Sequence, residues 1–316
     1  MYFNYPLTGA PFLNNPDLTR LDRWLKRQYP QLTQGLIEKW LRLGKIRVNT
    51  EKATAGLRVS ETDSITVPED LIARLNPEIP KKTITYSAED LDFLASLIVW
   101  EDDEICVLNK PSGLATQGGT KILRHLDGLL QAYGAGKPFR LVHRLDRDTS
   151  GIMLVAKTLK MSIHLGDAFK SRTVQKTYWA IVHGLLDEKQ GIIEAPISKD
   201  TGANLEKMVV DFEEGKSAKT TYKVIKSLGK KASWIEFKPE TGRTHQLRVH
   251  SSYIGHPIMG DSKYGETRQE EAPLCLHARK ISFPDMNGKR LTFIAQPPQY
   301  MDTILKEFAI NWEDYA

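Results

Sequence analysis

Three prolines and a lysine pair between Pro68 and Lys82 constrain this chain most, because neither a helix nor an interior strand runs through such a stretch. One core is expected before it and another after it. Residues 1–18 are turn-rich and aperiodic and read as an extended arm, 19–68 as a compact module, 69–83 as a linker and 84–316 as a larger domain. With 316 residues, 41% of them hydrophobic, there is apolar material for both cores.

In the module, Leu21, Trp24, Leu25 and Tyr29 recur at helical spacing between Thr19, a candidate N-cap, and Pro30. A second helix is expected from Thr33, with Leu36, Ile37, Trp40 and Leu41 on one face and Gly44 closing it. Short strand-like pieces follow at 46–48, 57–59 and 65–67, so the module is α+β. Between Arg20 and Arg47 stand eight basic residues against two acidic ones, a local charge of +6 in a chain whose net charge is +5. Arg20, Arg23, Arg27, Lys39, Arg42, Lys45 and Arg47 are therefore candidate phosphate contacts. On charge alone, two solvated amphipathic helices explain them nearly as well.

The pattern favours the first reading. Arg20-Leu21-Asp22, Leu25, Gly44, Ile46, Val48 and Asn49 fall on the marks of the S4 RNA-binding domain, a basic RLDxxL helix followed by a G-x-[IV]-x-V-N strand, and the segment resembles that domain. In that family a Gly commonly follows the Asn. Here Thr50 does, so a differently built turn is expected.

Beyond the linker, strand-like segments at 105–108, 152–156, 178–182, 220–224, 233–237 and 291–294 outnumber helical patterns near 123–133, 160–169 and 301–308. The two do not alternate strictly, which favours α+β with a mixed, mainly antiparallel sheet over a doubly wound fold. The run Arg140 to Gly151 (RLVHRLDRDTSG) packs charged and titratable groups between apolar ones just ahead of a buried-looking strand. Such a loop is either a surface turn closed by Asp148-Thr149-Ser150-Gly151 or an active-site loop, and physical chemistry alone leaves these about even.

The run also matches H-R-L-D-x-x-T-S-G, and the chain resembles the RluA-type pseudouridine synthases; His143 separates it from the RsuA-type relatives, which carry G-R-L-D. Asn109 to Gly113 (NKPSG), Lys176 to Ala180 (KTYWA) and Gly242 to His250 (GRTHQLRVH), continuing through Gly255 to Gly265, are similar to further motifs of that family in the same order. The resemblance implies a catalytic Asp146, an Arg144 that takes the place of a flipped uridine, a Tyr178 against the base and an Arg248 paired with the aspartate. An S4 domain ahead of this one, with the form VLNKPSGLATQGG, is similar to the RluC type. That implies large-subunit ribosomal RNA as substrate, with transfer RNA as second choice.

The reaction so implied breaks a uridine's C1′–N1 bond, turns the uracil and rejoins it through C5. No electrons move and no group leaves, so neither cofactor nor metal is expected. The carboxylate must stay ionised, either to attack the sugar or base or to take the C2′ proton. Burial opposes ionisation and a guanidinium favours it. Extruding the nucleotide costs roughly a few kcal/mol of stacking and pairing, which Arg144 and Tyr178 are suited to offset.

Competing readings are weaker. A glycosidase normally needs a second carboxylate about 5–10 Å from the first, and Asp148 reads as part of the turn. A non-catalytic RNA-binding assembly factor has no use for Asp146, Tyr178 and Arg248 together. His245, His250 and His256 cluster in sequence, but neither Cys106 nor Cys275 is near them, so hydrogen bonding is expected rather than metal binding. Arg124-His125-Leu126-Asp127 imitates the HRLD run within a helical pattern, so Asp127 is expected on a helix surface. Two buried free thiols, no charged-then-apolar leader and no apolar run near the roughly 20 residues of a membrane span lead to the expectation of a cytoplasmic monomer.

Overall fold

The computed structural model describes residues 2–6, 19–29, 32–60, 63–68, 86–118, 124–200, 207–265 and 272–315. The expected linker at 69–83 and most of the expected arm lie outside them. The chain divides into two compact units, 1–83 and 84–316.

In the first unit, β1 (Tyr2–Pro6), β2 (Thr19–Arg20), α1 (Leu21–Gln28), α2 (Gln34–Arg42), β3 (Arg47–Val48), β4 (Glu51–Lys52), β5 (Arg58–Val59) and β6 (Ser64–Pro68) follow one another. The sheet order is β1-β6-β3-β4, and β2 pairs with β5. Thr19 does not cap α1. It belongs to β2, and Arg20 occupies the N-cap position without a side-chain cap bond. Thr33 does cap α2, its Oγ1 accepting the Leu36 N–H at 3.3 Å. Gly44 follows that helix at φ +67° and donates its N–H to Leu41. The core is the shared face of both helices, Leu21, Trp24, Leu25, Ile37, Trp40 and Leu41, against Ile46, Val48, Val59, Ile65 and Val67.

The turn after Asn49 is not built differently from an Asn-Gly turn. Val48 faces Glu51 across a two-residue hairpin, and both central residues, Asn49 (φ 49°) and Thr50 (φ 69°), are left-handed. The Asn49 side chain holds the turn from outside, donating to Asp63 at 2.7 Å and accepting the Ser64 N–H at 2.8 Å.

The second unit runs α3 (Ala88–Leu97), β7 (Ile98–Glu101), β8 (Ile105–Lys110), α4 (Leu126–Tyr133), β9 (Arg140–Leu141), β10 (Ser150–Ala156), α5 (Leu159–Lys170), β11 (Gln175–His183), β12 (Gln190–Glu194), β13 (Ile197–Lys199), β14 (Met208–Val210), β15 (Lys219–Leu228), β16 (Ala232–Pro239), α6 (Gln246–Tyr253), β17 (Leu276–Pro284), β18 (Arg290–Ile294) and α7 (Gln299–Glu307). Its main sheet has the order β12-β15-β16-β11-β17-β10-β8-β7, with β18 on β17 and β9 on β10. Every pairing in it is antiparallel except β10 with β17, where Ser150 and Gly151 lie beside His277 and Ala278. One cluster, with Leu129, Leu154, Leu165 and Phe283, lies toward the β8–β10 side; another, with Trp179, Trp234, Phe237 and Leu305, lies toward the β11–β16 side. The parallel pair sits between them, and the charged loop enters the sheet there.

Candidate active site

Residues 143–149 arrive at β10 pinned on every side. Lys110, at the end of β8, is fully buried, and its Nζ donates to the carbonyls of Pro111, Leu114 and Arg147, each at 2.9 Å. Burial pulls its pKa down to about 7, with Asp148 and Asp146 opposing; three carbonyl dipoles on three N–H groups hold the charged form. Thr116 Oγ1 donates to Leu145 O at 2.6 Å, and Ser112 Oγ to Asp148 O at 2.7 Å. His143 stacks on Phe169 with ring centroids 4.7 Å apart, and its Nε2 accepts the Leu154 N–H at 2.8 Å. Burial, then the charge of Lys176, lowers its pKa to about 3, so the ring is neutral.

Gly151 explains the end of the motif. It sits at φ +115°, and a Cβ there would meet the Ala278 carbonyl oxygen at 2.3 Å. Only glycine lets β10 approach β17 closely enough to pair. Ser150 donates to His277 Nδ1 at 3.0 Å beside it, since His277 Nε2 must donate to the Ala295 carbonyl.

The loop opens onto a cavity of about 510 Å³ lined by Arg144, Asp146, Tyr178, His245, Arg248 and residues around them. Asp146 is about a quarter exposed, and His245 Nε2 lies 4.0 Å from its Oδ2. Tyr178 comes from β11. Burial, then the charge of Asp146, raises its pKa, so the phenol keeps its proton. Arg144 is exposed and pairs with nothing among the described residues. These four expected residues thus share one cavity.

The expected pairing of Arg248 with the aspartate needs correction. Its Nε and one terminal nitrogen go to Asp261, at 2.7 and 2.6 Å, and both side chains are buried. Burial opposes the charge, but the bonds and charge of Asp261, with Asp146 adding, leave the pKa raised. Asp146 therefore feels Arg248 as a fixed nearby charge rather than as a hydrogen-bond partner. Asp261 also accepts the N–H groups of Lys263 and Tyr264, each at 3.0 Å.

Both His245 and Tyr264 lie inside matched motifs, where hydrogen bonding is all that is expected of His245 and nothing is assigned to Tyr264. His245 precedes α6 in a left-handed conformation (φ 54°), and its Nδ1 lies 2.8 Å from the Tyr264 hydroxyl. Burial lowers its pKa while Asp146 pushes the other way. His250 and His256 are held elsewhere, by Thr220 and the Ala195 carbonyl, and by the His183 carbonyl. Asp148 pairs with Arg147 at 2.8 Å and lines a smaller pocket with Ser112, Arg147 and Arg248, the last of which it shares with the main cavity.

In the first unit all seven basic candidates are exposed. Arg20 is bound to Asp22 at 3.1 and 2.7 Å, Arg47 to the carbonyls of Gly44 and Thr50, and Lys45 lies over the Trp40 ring. Arg23, Arg27, Lys39 and Arg42 have no partner among the described residues, which leaves their charge to solvent.

The profile of RNA pseudouridylate synthases matches residues 104–253, and that of the S4 domain matches residues 19–65. The chain is 43% identical over 295 residues to a Rickettsia conorii protein named ribosomal large subunit pseudouridine synthase C, covering 91% of this chain and 97% of that one. Its identity to the Vibrio vulnificus protein of that name is 36% over 275 residues, 84% of each. Among solved structures, human RNA pseudouridylate synthase domain containing 4 superposes with a TM-score of 0.60 at 28% identity, covering 70% of this chain and 96% of that one. Profile, relatives and fold agree with the loop and cavity above: the chain belongs to the RNA pseudouridylate synthase family, as a member that carries an S4 domain.

Proposed function

We propose that this protein converts specific uridines of large-subunit ribosomal RNA to pseudouridine, with Asp146 as the catalytic carboxylate. The observation that carries the reading is the single cavity in which Asp146, Tyr178, Arg248 and Arg144 meet. The names of the relatives support the substrate class. In this reading the phosphate backbone is gathered by Arg23, Arg27, Lys39 and Arg42, with Arg20, Lys45 and Arg47 beside them. Arg144 enters the stack as the target nucleotide leaves it, and the uracil lies against the Tyr178 ring.

Asp146 then works beside a fixed cation. Arg248 keeps its charge at any working pH, and Asp261 fixes its position, so the field at Asp146 needs no rearrangement when the glycosidic bond breaks. A protonated Tyr178 adds no second negative charge. Asp148 is tied to Arg147 and lines the smaller pocket rather than the cavity that holds Asp146, which speaks against its use as a glycosidase's second carboxylate. The buried thiols of Cys106 and Cys275 suit a reducing cytoplasm.

The test is incubation with protein-free large-subunit ribosomal RNA and, separately, with transfer RNA, followed by carbodiimide modification and reverse transcription. New stops in the ribosomal RNA are expected. Stops in transfer RNA alone would move the substrate, and stops in neither would leave only RNA binding.

A further inference from the structure

The cavity has a second side that the reaction at Asp146 does not use. Lys176, two residues before Tyr178 on β11, is half-buried and lines it, as do Arg172 and Lys170 at the end of α5 and Arg243 ahead of α6. Among the described residues Lys176 has no hydrogen bond and no ion pair. Its Nζ lies over Gly242, 3.9 Å from where a Cβ would stand. Its charged neighbour is another cation, Arg172, whose repulsion adds to burial in lowering its pKa.

Arg172 follows the C-cap of α5, left-handed (φ 61°) as the residue that ends a helix commonly is, and its exposed side chain lines the cavity. The two carboxylates of the cavity are engaged elsewhere: Asp146 stands beside His245 at 4.0 Å, and Glu240 faces Lys219 at 3.7 Å. Two cations that line one concave cavity, Lys176 half-buried and Arg172 exposed, with the cavity's carboxylates engaged elsewhere, make a site for a doubly liganded anion.

We propose that Lys176 and Arg172 form a phosphate site that grips a phosphodiester next to the uridine held at Asp146. The proposal rests on the reading of the cavity as a uridine pocket. It gives the flipped nucleotide a second anchor: the base is fixed by Tyr178 and the backbone by the two cations, so C1′ is set over Asp146 from both ends.

The first probes are uridine, uridine 3′-monophosphate and uridine 5′-monophosphate, titrated into the full-length protein and followed by NMR shifts of the cavity residues. At least one monophosphate is expected to bind roughly tenfold tighter than the nucleoside, one charge-assisted contact being of that order. Lys176→Gln should remove the preference and Lys176→Arg should keep most of it. A wild-type protein that binds nucleoside and nucleotides alike, or a Lys176→Gln variant that keeps the preference, overturns the proposal. If the mononucleotides are too weak to detect, ribosomal RNA binding decides: Lys176→Gln should lower the slope of log affinity against log salt by about 0.7–0.9 and raise KM more than it lowers kcat. An unchanged slope overturns the proposal. Wild-type turnover on the same RNA tests the function reading separately, so the two can fail apart.

Discussion

Arg248 and Asp261 face each other inside the second unit with two parallel hydrogen bonds of 2.7 and 2.6 Å, and Asp146 receives only the field of that pair. Removing Asp261 would leave a guanidinium buried without its partner, a loss of about 3–5 kcal/mol for such sites. Asp261→Ala is therefore expected to lower the unfolding free energy of the second unit by that amount, with a lower denaturation midpoint, and to reduce activity. A midpoint unchanged in chemical denaturation would show that the pair does not hold the site.

Acid should weaken the same unit before its carboxylates titrate. His277 is fully buried, and burial, against the Ala295 carbonyl, lowers its pKa from 6.5 to about 4. The unfolded chain takes up this proton first, so the contribution is intact above pH 6.5 and is lost as pH falls toward 4, about 3 kcal/mol in all. His143, lowered to about 3, adds in the same direction. Thermal unfolding between pH 7.5 and 4.5 should show a falling Tm, and less so in His277→Asn; a flat profile would contradict it.

Much of this was legible in the sequence where residues alternate or recur cleanly. β8, β10, β16 and helix α5 lie where apolar spacing put them, and the Thr33 hydroxyl caps the start of α2 while Gly44, free to turn left-handed, follows its end. Two of the missed elements bury polar groups. Strand β17 carries His277, which is buried by hydrogen bonds, and Arg279, which lies 4.2 Å from the Trp179 ring and 5.0 Å from that of Trp312. Helix α6 buries Gln246, Arg248, His250 and Ser251, so it has no apolar face to read. At the site, residue types identified the chemistry. That Arg248 turns to Asp261, with His245 beside Asp146, depends on the turn 258–265, which no local pattern encodes.

The Asn49-Thr50 turn predicts a stabilising change. Thr50 is β-branched at φ 69°, where glycine is unstrained. Thr50→Gly should stabilise the first unit by about 0.5–1 kcal/mol, the relief of strain less the added freedom of the unfolded chain. Urea unfolding followed by tryptophan fluorescence measures it, and destabilisation would mean that the turn is not left-handed.

The basic face predicts a division among its members. Replacing Arg23, Arg27, Lys39 and Arg42 together with Gln should lower the salt slope of RNA binding by about 3–4 and leave turnover at saturating RNA nearer to wild type. Arg20→Gln alone should do less, because Asp22 already neutralises Arg20. Equal effects from Arg20 and Arg23 in filter binding at several salt concentrations would contradict this.

The most direct test of the account is Asp146→Asn. The variant should match wild type in Tm and in affinity for large-subunit ribosomal RNA, yet carbodiimide mapping should find no new reverse-transcription stop at sites that the wild-type protein modifies. Stops at wild-type level from Asp146→Asn would contradict the assignment of the carboxylate, and with it the reading of the cavity.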